Sequence, residues 1–311
     1  MKRRWKLLIA FVITNIVVIS TIVITSRIEE NRYAEMKGER ERETHISIIT
    51  TNELLYNMVK DIVGDNQEDV SYMFKSEQNN LNFKFTKDSV SNMGKQDLFI
   101  YMGMGSEPWI NEFIDTVKRD KVSIINASRG IKPLYLSEPR NINNKEYKEN
   151  PYYFLSLEYY KIALNNIRGV IIEKDPKNRD TYEKNYIEVM KNIDKISDAF
   201  GSMDKIRDYT FVVKDDSFDY LLADMGVKTI KIPKKISREE WNKLDKKLKE
   251  SKNIVFLYDS EETIAENDSM IKQYNMQTIF VDIKSSYKTY FEVMNNIIEK
   301  LDKLDKLEKN K

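Results

Sequence analysis

Three places in this chain combine residue types and spacing that could do chemistry: the acidic pair Asp215-Asp216, the single histidine His45, and the Gly-x-Gly-x-Glu-Pro-Trp run at residues 103–109. Two neighbouring carboxylates could serve as general acid and base. Adjacent residues at a strand end point to opposite sides, however, and Asp216 is placed to cap a helix opening at Ser217. His45 follows Glu43 and Thr44, with no second imidazole anywhere in the chain, and reads as a surface or strand-edge histidine. The chain contains no cysteine, which removes disulfides, thiol nucleophiles, cysteine zinc sites and iron–sulfur clusters together. Gly103-x-Gly105 is too short for a dinucleotide fingerprint and lacks its third glycine. No phosphate loop or Ser-His-Asp constellation is present, so no enzyme activity is expected.

The Gly-x-Gly run instead marks a boundary between elements. Leu98–Tyr101 is a short apolar strand, the glycines impose a tight turn, and Pro108 sits where a helix takes proline in its first turn. A strand ending in such a turn is the edge of an α/β sheet where ligands bind. The same alternation recurs before and after it. Ile46–Thr50 is a buried-strand pattern, and Asn52–Val63 carries Leu54, Leu55, Met58, Val59 and Ile62 at helical spacing, with Gly64 as its stop. Strands at Val70–Phe74 and Val122–Asn126 and helices at Asp88–Met93 and Trp109–Arg119 complete a first series. Pro139–Glu149 reads as a polar loop and Leu155–Glu173 as a helix. Pro176–Met203 is a long helical stretch without strand chemistry, after which a second series runs from Tyr209 to Leu304. The expected fold is α/β: two lobes, each a mainly parallel sheet flanked by helices, joined by one long linking helix. The corresponding layout is a basic flank and signal anchor over 1–26, a charged stalk over 27–44, an N-terminal lobe over 45–175, the linking helix over 176–204 and a C-terminal lobe over 205–311.

The 311 residues carry 51 Lys+Arg against 50 Asp+Glu, a net charge of +1, so no basic face marks a nucleic-acid partner. Lys2, Arg3, Arg4 and Lys6 precede the apolar run Leu7–Thr25, which is long enough to cross a bilayer core. Its basic flank belongs in the cytoplasm and the remainder outside. The run exceeds the apolar stretch of a cleaved signal peptide, and no small-x-small site follows it, so an uncleaved single-pass anchor is expected. Without a cysteine, attachment through an N-terminal lipidated cysteine is excluded.

Several blocks, in order, resemble the substrate-binding proteins of zinc and manganese ABC importers. They are ISIITTNELLYNMVKDIVGD, QDLFIYMGMGSEPWINEF, IINASRGI, the Asp175-Pro176-x-Asn178 start of the linking helix with Tyr182, FVVKDDSFDYLLADMGV, and TIFVDIKSSYKTYFEVMNNIIEKL. The resemblance covers roughly residues 46–303. It implies an extracytoplasmic solute receptor that hands its cargo to an ABC permease, with a cleft between the lobes.

In that family the cleft holds its metal mainly through histidines. Residue by residue, the positions of the three histidines fall here on Asn80, Tyr152 and Asp215. The closing aspartate is kept as Asp282, and Leu257 stands where some members carry a glutamate. The His-rich loop of many zinc members is absent from Pro139–Glu149. Asn80, Tyr152, Asp215 and Asp282 are thus the ligand-cleft candidates, and Asp215 and Asp282 the only carboxylate donors a metal would find. Zinc draws on imidazole or thiolate. An oxygen-loving cation could use the two carboxylates, but a neutral phenol is a poor ligand. The expectation is a receptor with lost or altered metal binding and no cofactor, and the alternative is a ligand-free anchored accessory protein that keeps the fold. Tyr147, Tyr152, Tyr153, Phe154, Tyr159 and Tyr160 form an aromatic group near the cleft.

Overall fold

The computed structural model describes residues 24–29, 32, 46–64, 69–117, 122–283 and 289–309. The chain divides into two compact units, Met1–His45 and Ile46–Lys311. Of the first unit, residues 24–29 are helical. The Leu7–Thr25 anchor falls almost wholly outside the described residues, as does His45. Among the described residues no helix is long and apolar enough to cross a membrane.

The second unit contains both sheets. In the first half, β1 (Ile48–Asn52), α1 (Glu53–Val63), β2 (Val70–Phe74), α2 (Glu77–Leu81), α3 (Lys87–Met93), β3 (Leu98–Tyr101), α4 (Ile110–Thr116) and β4 (Ser123–Asn126) build a parallel sheet of order β2-β1-β3-β4. A hairpin follows, β5 (Tyr135–Ile142) and β6 (Lys145–Glu149), then α5 (Leu157–Lys174) and the long α6 (Arg179–Gly201). The second half comprises β7 (Thr210–Val213), α7 (Asp219–Met225), β8 (Lys228–Lys231), α8 (Arg238–Glu250), β9 (Ile254–Tyr258), α9 (Glu261–Gln273), β10 (Gln277–Phe280) and α10 (Tyr290–Lys309). Its sheet is also parallel, of order β10-β9-β7-β8.

Strand alternation assigns each sheet two apolar faces. Leu98 and Ile100 of β3 face one core while Phe99 faces another; Phe211 and Val213 of β7 face the first of these while Val212 faces a third. The shared core is continuous across both halves and takes in Leu55 and Val59 of α1, Ile167 of α5, Ile193 of α6 and Met294 of α10. The two lobes are therefore welded along one apolar layer, which favours small shear over a wide hinge.

One long helix, α6, joins the lobes as expected, and only its start differs. Pro176–Asn178 forms a 3₁₀ turn, and α6 starts only at Arg179. Buried Asp175 fixes this step: its Oδ2 accepts from Asn178 Nδ2 and from the Tyr182 hydroxyl, both at 2.7 Å.

Two expectations need correction. Pro139–Glu149 is not a loop but most of the β5–β6 hairpin, with Asn143 and Asn144 at φ 52° and 60° in its turn. Two consecutive positive φ values are the demand of a tight two-residue hairpin turn, which Asn tolerates. The short helix α2 was also not anticipated, although Ser76 caps it by accepting from Asn79 N.

Candidate ligand cleft

The Gly-x-Gly-x-Glu-Pro-Trp run is built around a buried carboxylate. Glu107 Oε1 accepts from Thr51 Oγ1 at 2.6 Å and from Met102 N at 2.9 Å, and Oε2 accepts from Gly103 N at 3.0 Å. The backbone just past β3 is thus tied to its own turn and to the end of β1. Burial pushes the Glu107 carboxyl up to about 7, against the pull of those three donors. Gly103 (φ 81°) lies so close to Asn126 and Ser128 that a Cβ would collide with both side chains. A Cβ on Gly105 (φ 69°) would lie 2.6 Å from the Tyr147 ring of β6. The two glycines therefore let the β3 turn lie against β4 and the hairpin.

This turn positions the first candidate. Asn80 of α2 is buried, its Nδ2 donating to Ser106 O at 3.1 Å. Trp109 Nε1 donates to Asn80 Oδ1 at 2.9 Å and to Asn80 O at 3.0 Å. The carboxamide is a structural link between α2 and the Glu107 turn.

Tyr152 lies nearby and donates its hydroxyl to Glu77 Oε2 at 3.3 Å. Burial and the Glu77 charge hold the phenol well above its ordinary range, so it stays neutral. Glu77 Oε1 is in turn paired with Arg140 Nη1 at 3.2 Å, and Arg140 Nη2 donates to Gly105 O at 3.1 Å. A guanidinium carried by the hairpin is thus the cation that faces the carboxylate and phenol at this end of the cleft. Neither Glu77 nor Arg140 was anticipated. The signal was the Ser76-Glu77 helix start, in a stretch assigned to no element, and the lone Arg in the hairpin, concealed while that segment read as a loop.

On the opposite lobe, Asp215 Oδ1 accepts from Ser217 N at 2.9 Å, so it is Asp215, not Asp216, that satisfies the backbone after β7. Asp216 turns to the hairpin and β8. It accepts from Ser137 N at 2.9 Å, from Ser137 Oγ at 2.7 Å and from Lys231 Nζ at 2.5 Å. Burial alone would raise the Asp216 carboxyl, but these bonds prevail and hold it below the usual carboxylate range. Lys231 also pairs with Asp219. Tyr220 of α7 donates to Asn150 O at 3.2 Å and accepts from Leu134 N at 2.8 Å. The hairpin is therefore a strap: Arg140 and Tyr147 fasten it to the first lobe, through Glu77 and Pro108 O, and Ser137 fastens it to the second.

A cavity of about 380 Å³ opens beside this network, at the carboxyl ends of β1, β2 and β3. Asn80 and Tyr152 line it, whereas Asp215 and Asp282 do not; the second lobe contributes Ile283, Tyr290 and Val293 instead. Asn80 and Tyr152 thus share this wall, and Asp215 lies near enough for its charge to act on the Tyr152 phenol. Among the described residues no group of three His, Cys, Asp or Glu is placed to hold a metal ion.

Comparison with known proteins gives a consistent lineage. The family model described as "ZnuA: Zinc-uptake complex component A periplasmic" matches residues 48–304. The chain is 26% identical over 208 residues to the high-affinity zinc uptake system protein ZnuA of Bacillus subtilis, covering 64% of this chain and 63% of that protein. It is 28% identical over 191 residues to the manganese ABC transporter substrate-binding lipoprotein PsaA of Streptococcus pneumoniae, covering 58% and 60%. These matches span a little under two thirds of the relatives' own lengths. The Zn(II)-bound ZnuA-like domain of Streptococcus pneumoniae AdcA shares the fold, with a TM-score of 0.65 at 19% identity over 84% of this chain and 98% of that one.

Proposed function

Since the chain belongs to the family of periplasmic component A proteins of zinc-uptake complexes, we propose that it is an ABC-importer solute receptor, anchored outside the cell by Leu7–Thr25, whose cargo is not zinc or manganese. The observation that carries this reading is the chemistry at the positions matching the family's histidines. Asn80 holds Trp109 and Ser106, Tyr152 is a neutral phenol bound to Glu77, and Asp215 caps the backbone at Ser217. None is an imidazole, and zinc sites are assembled from imidazole or thiolate with carboxylate in support. The Arg140 guanidinium supports the same reading, because it engages the Glu77 carboxylate that would otherwise be a further anionic oxygen donor beside Tyr152.

The permease partner follows from family membership and is part of this proposal. So is the anchor: PsaA of Streptococcus pneumoniae is described as a lipoprotein, and the 311 residues here contain no cysteine to carry a lipid. The strap supplies the link between lobes that a bridging ligand would otherwise provide. A thermal-shift series on the full chain with Zn²⁺ and Mn²⁺, each with and without chelator, tests the reading. The expected result is an unchanged melting temperature; a chelator-reversible rise that Asp215→Ala abolishes would overturn it, since a ligand that binds the native state stabilises it by mass action.

A further inference from the structure

We propose that the 380 Å³ cavity takes a small organic zwitterion with an apolar body, of the size of an amino acid or a dipeptide. This rests on the reading above that the receptor's cargo is not a transition metal, and it names what the cargo is instead. The volume lies at the lower end of the range for small-molecule sites, which sets the size class.

The wall sets the body of the ligand. Phe74, Phe154, Leu155, Tyr290 and Val293 give it aromatic and aliphatic surface from both lobes. A bare ion would gain nothing from such a wall, whereas an apolar group gains in proportion to the area it hides from water.

The polar residues set the ends. Asn52 and Phe74 are register partners on the neighbouring strands β1 and β2, so the residues that follow them, Glu53 and Lys75, emerge side by side at the carboxyl edge of the sheet. Both line the cavity, as does Asn57 one turn further along α1. Among the described residues none of these three side chains has a hydrogen-bond or ion-pair partner. This sets them apart from Glu77, Asn80 and Tyr152, whose polar groups are engaged within the protein. One carboxylate and one ammonium, both unpartnered among the described residues and set just past the ends of adjacent strands, match a ligand carrying the opposite pair of charges. Asn57 adds a neutral donor and acceptor. Tyr290 is 5% exposed and completes the aromatic part of the wall from the second lobe.

The test is a thermal-shift and calorimetric comparison on the full chain. The probes are L-phenylalanine, L-leucine and the dipeptide Leu-Phe, set against phenylalaninol, which lacks the carboxylate, and 3-phenylpropionate, which lacks the ammonium. At least one zwitterion is expected to raise the melting temperature by about 5 °C at a hundredfold excess over its Kd. Each truncated probe should bind at least tenfold more weakly. Lys75→Ala should cost the zwitterion about tenfold and leave phenylalaninol unaffected; Lys75 is exposed, so this variant is expected to fold as the parent does. Val293→Trp, which fills the cavity, should abolish binding.

Silence from every zwitterion at 10 mM, or equal binding of the truncated probes, would overturn the inference. If the metal series is also silent, the cargo reading stands and only the zwitterion falls. A chelator-reversible metal shift would instead bring down the cargo reading itself.

Discussion

Glu107 should make the folded state less stable as pH rises, and Glu107→Gln should remove that dependence. The carboxyl is buried, with an ionisation constant pushed up to about 7 from an unfolded value of 4.5. A raised acid binds its proton more tightly when folded. Its contribution is therefore full below about 4.5, declines as pH rises through the folded value, and is lost above 7. The shift of about 2.5 corresponds to about 3 kcal/mol between those limits. The opposing effect is also visible: three donors at 2.6–3.0 Å favour the anion, so the shift is the residue of a larger burial cost. Glutamine keeps the shape and one acceptor but forces an NH₂ against a backbone N–H. At pH 5 Glu107→Gln should be less stable than the parent by about 1–3 kcal/mol, the cost of one unsatisfied buried group. By pH 8 the parent alone has lost the rest of its ionisation contribution, part of which is already gone at pH 5, so the gap should close by about 2–3 kcal/mol, to parity or reversal. Urea unfolding of both proteins at the two pH values, compared at equal m, measures this directly. A parent–variant gap that stays constant from pH 5 to 8 would refute the argument, because it would place the ionisation of Glu107 in its ordinary range.

Other perturbations follow from the same contacts. Asn80→Ala leaves the Trp109 indole N–H without its side-chain acceptor and Ser106 O without its donor, and should lower stability by about 1–3 kcal/mol; denaturant unfolding with tryptophan emission reads it. Tyr290→Phe removes a buried hydroxyl that has no partner among the described residues while keeping the ring stacked on Tyr160 at 3.7 Å, so the unliganded protein should gain up to about 1 kcal/mol in the same assay. Asp216→Asn weakens the strap's hold on the second lobe, and limited proteolysis should then cut the β5–β6 hairpin faster with little change in global unfolding. Because the Asp216 carboxyl is held below its ordinary range, its contribution is present at neutral pH and lost on acidification through the folded value, so parent and variant hairpins should become equally labile in acid.

Most of the architecture was legible in the residues because apolar periodicity decides it. Val70–Phe74, Leu98–Tyr101 and Ile254–Tyr258 appear at the expected limits, and their alternation matches the two-faced burial of the sheets. The hairpin was missed because neither of its strands buries a continuous apolar face: Tyr135, Ser137, Glu138, Lys145 and Glu146 are all exposed. Its readable signal was Asn143-Asn144, a turn pair and not a pattern. The family resemblance located Asn80 and Tyr152 on the cleft wall but did not foresee what occupies them. Spacing along a chain does not reveal that Asn80 serves Trp109, or that a hairpin arginine reaches Glu77. The exchange of roles between Asp215 and Asp216 has a similar origin. Either carboxylate could cap the segment after β7, and the choice depends on Ser137 and Lys231, distant in sequence.

The most direct test of the central claim is calorimetric titration of Zn²⁺ and Mn²⁺ into the chelator-stripped full chain, beside the same titration of a variant carrying Asn80→His, Tyr152→His and Asp215→His. With no imidazole at any of the three positions, the parent should show no saturable site tighter than about 10 µM, a binding free energy of about −7 kcal/mol. The variant should gain affinity if these positions are the family's ligand positions. Stoichiometric binding by the parent with Kd below about 0.1 µM, about −9.5 kcal/mol, that disappears on Asp215→Ala, would contradict the account.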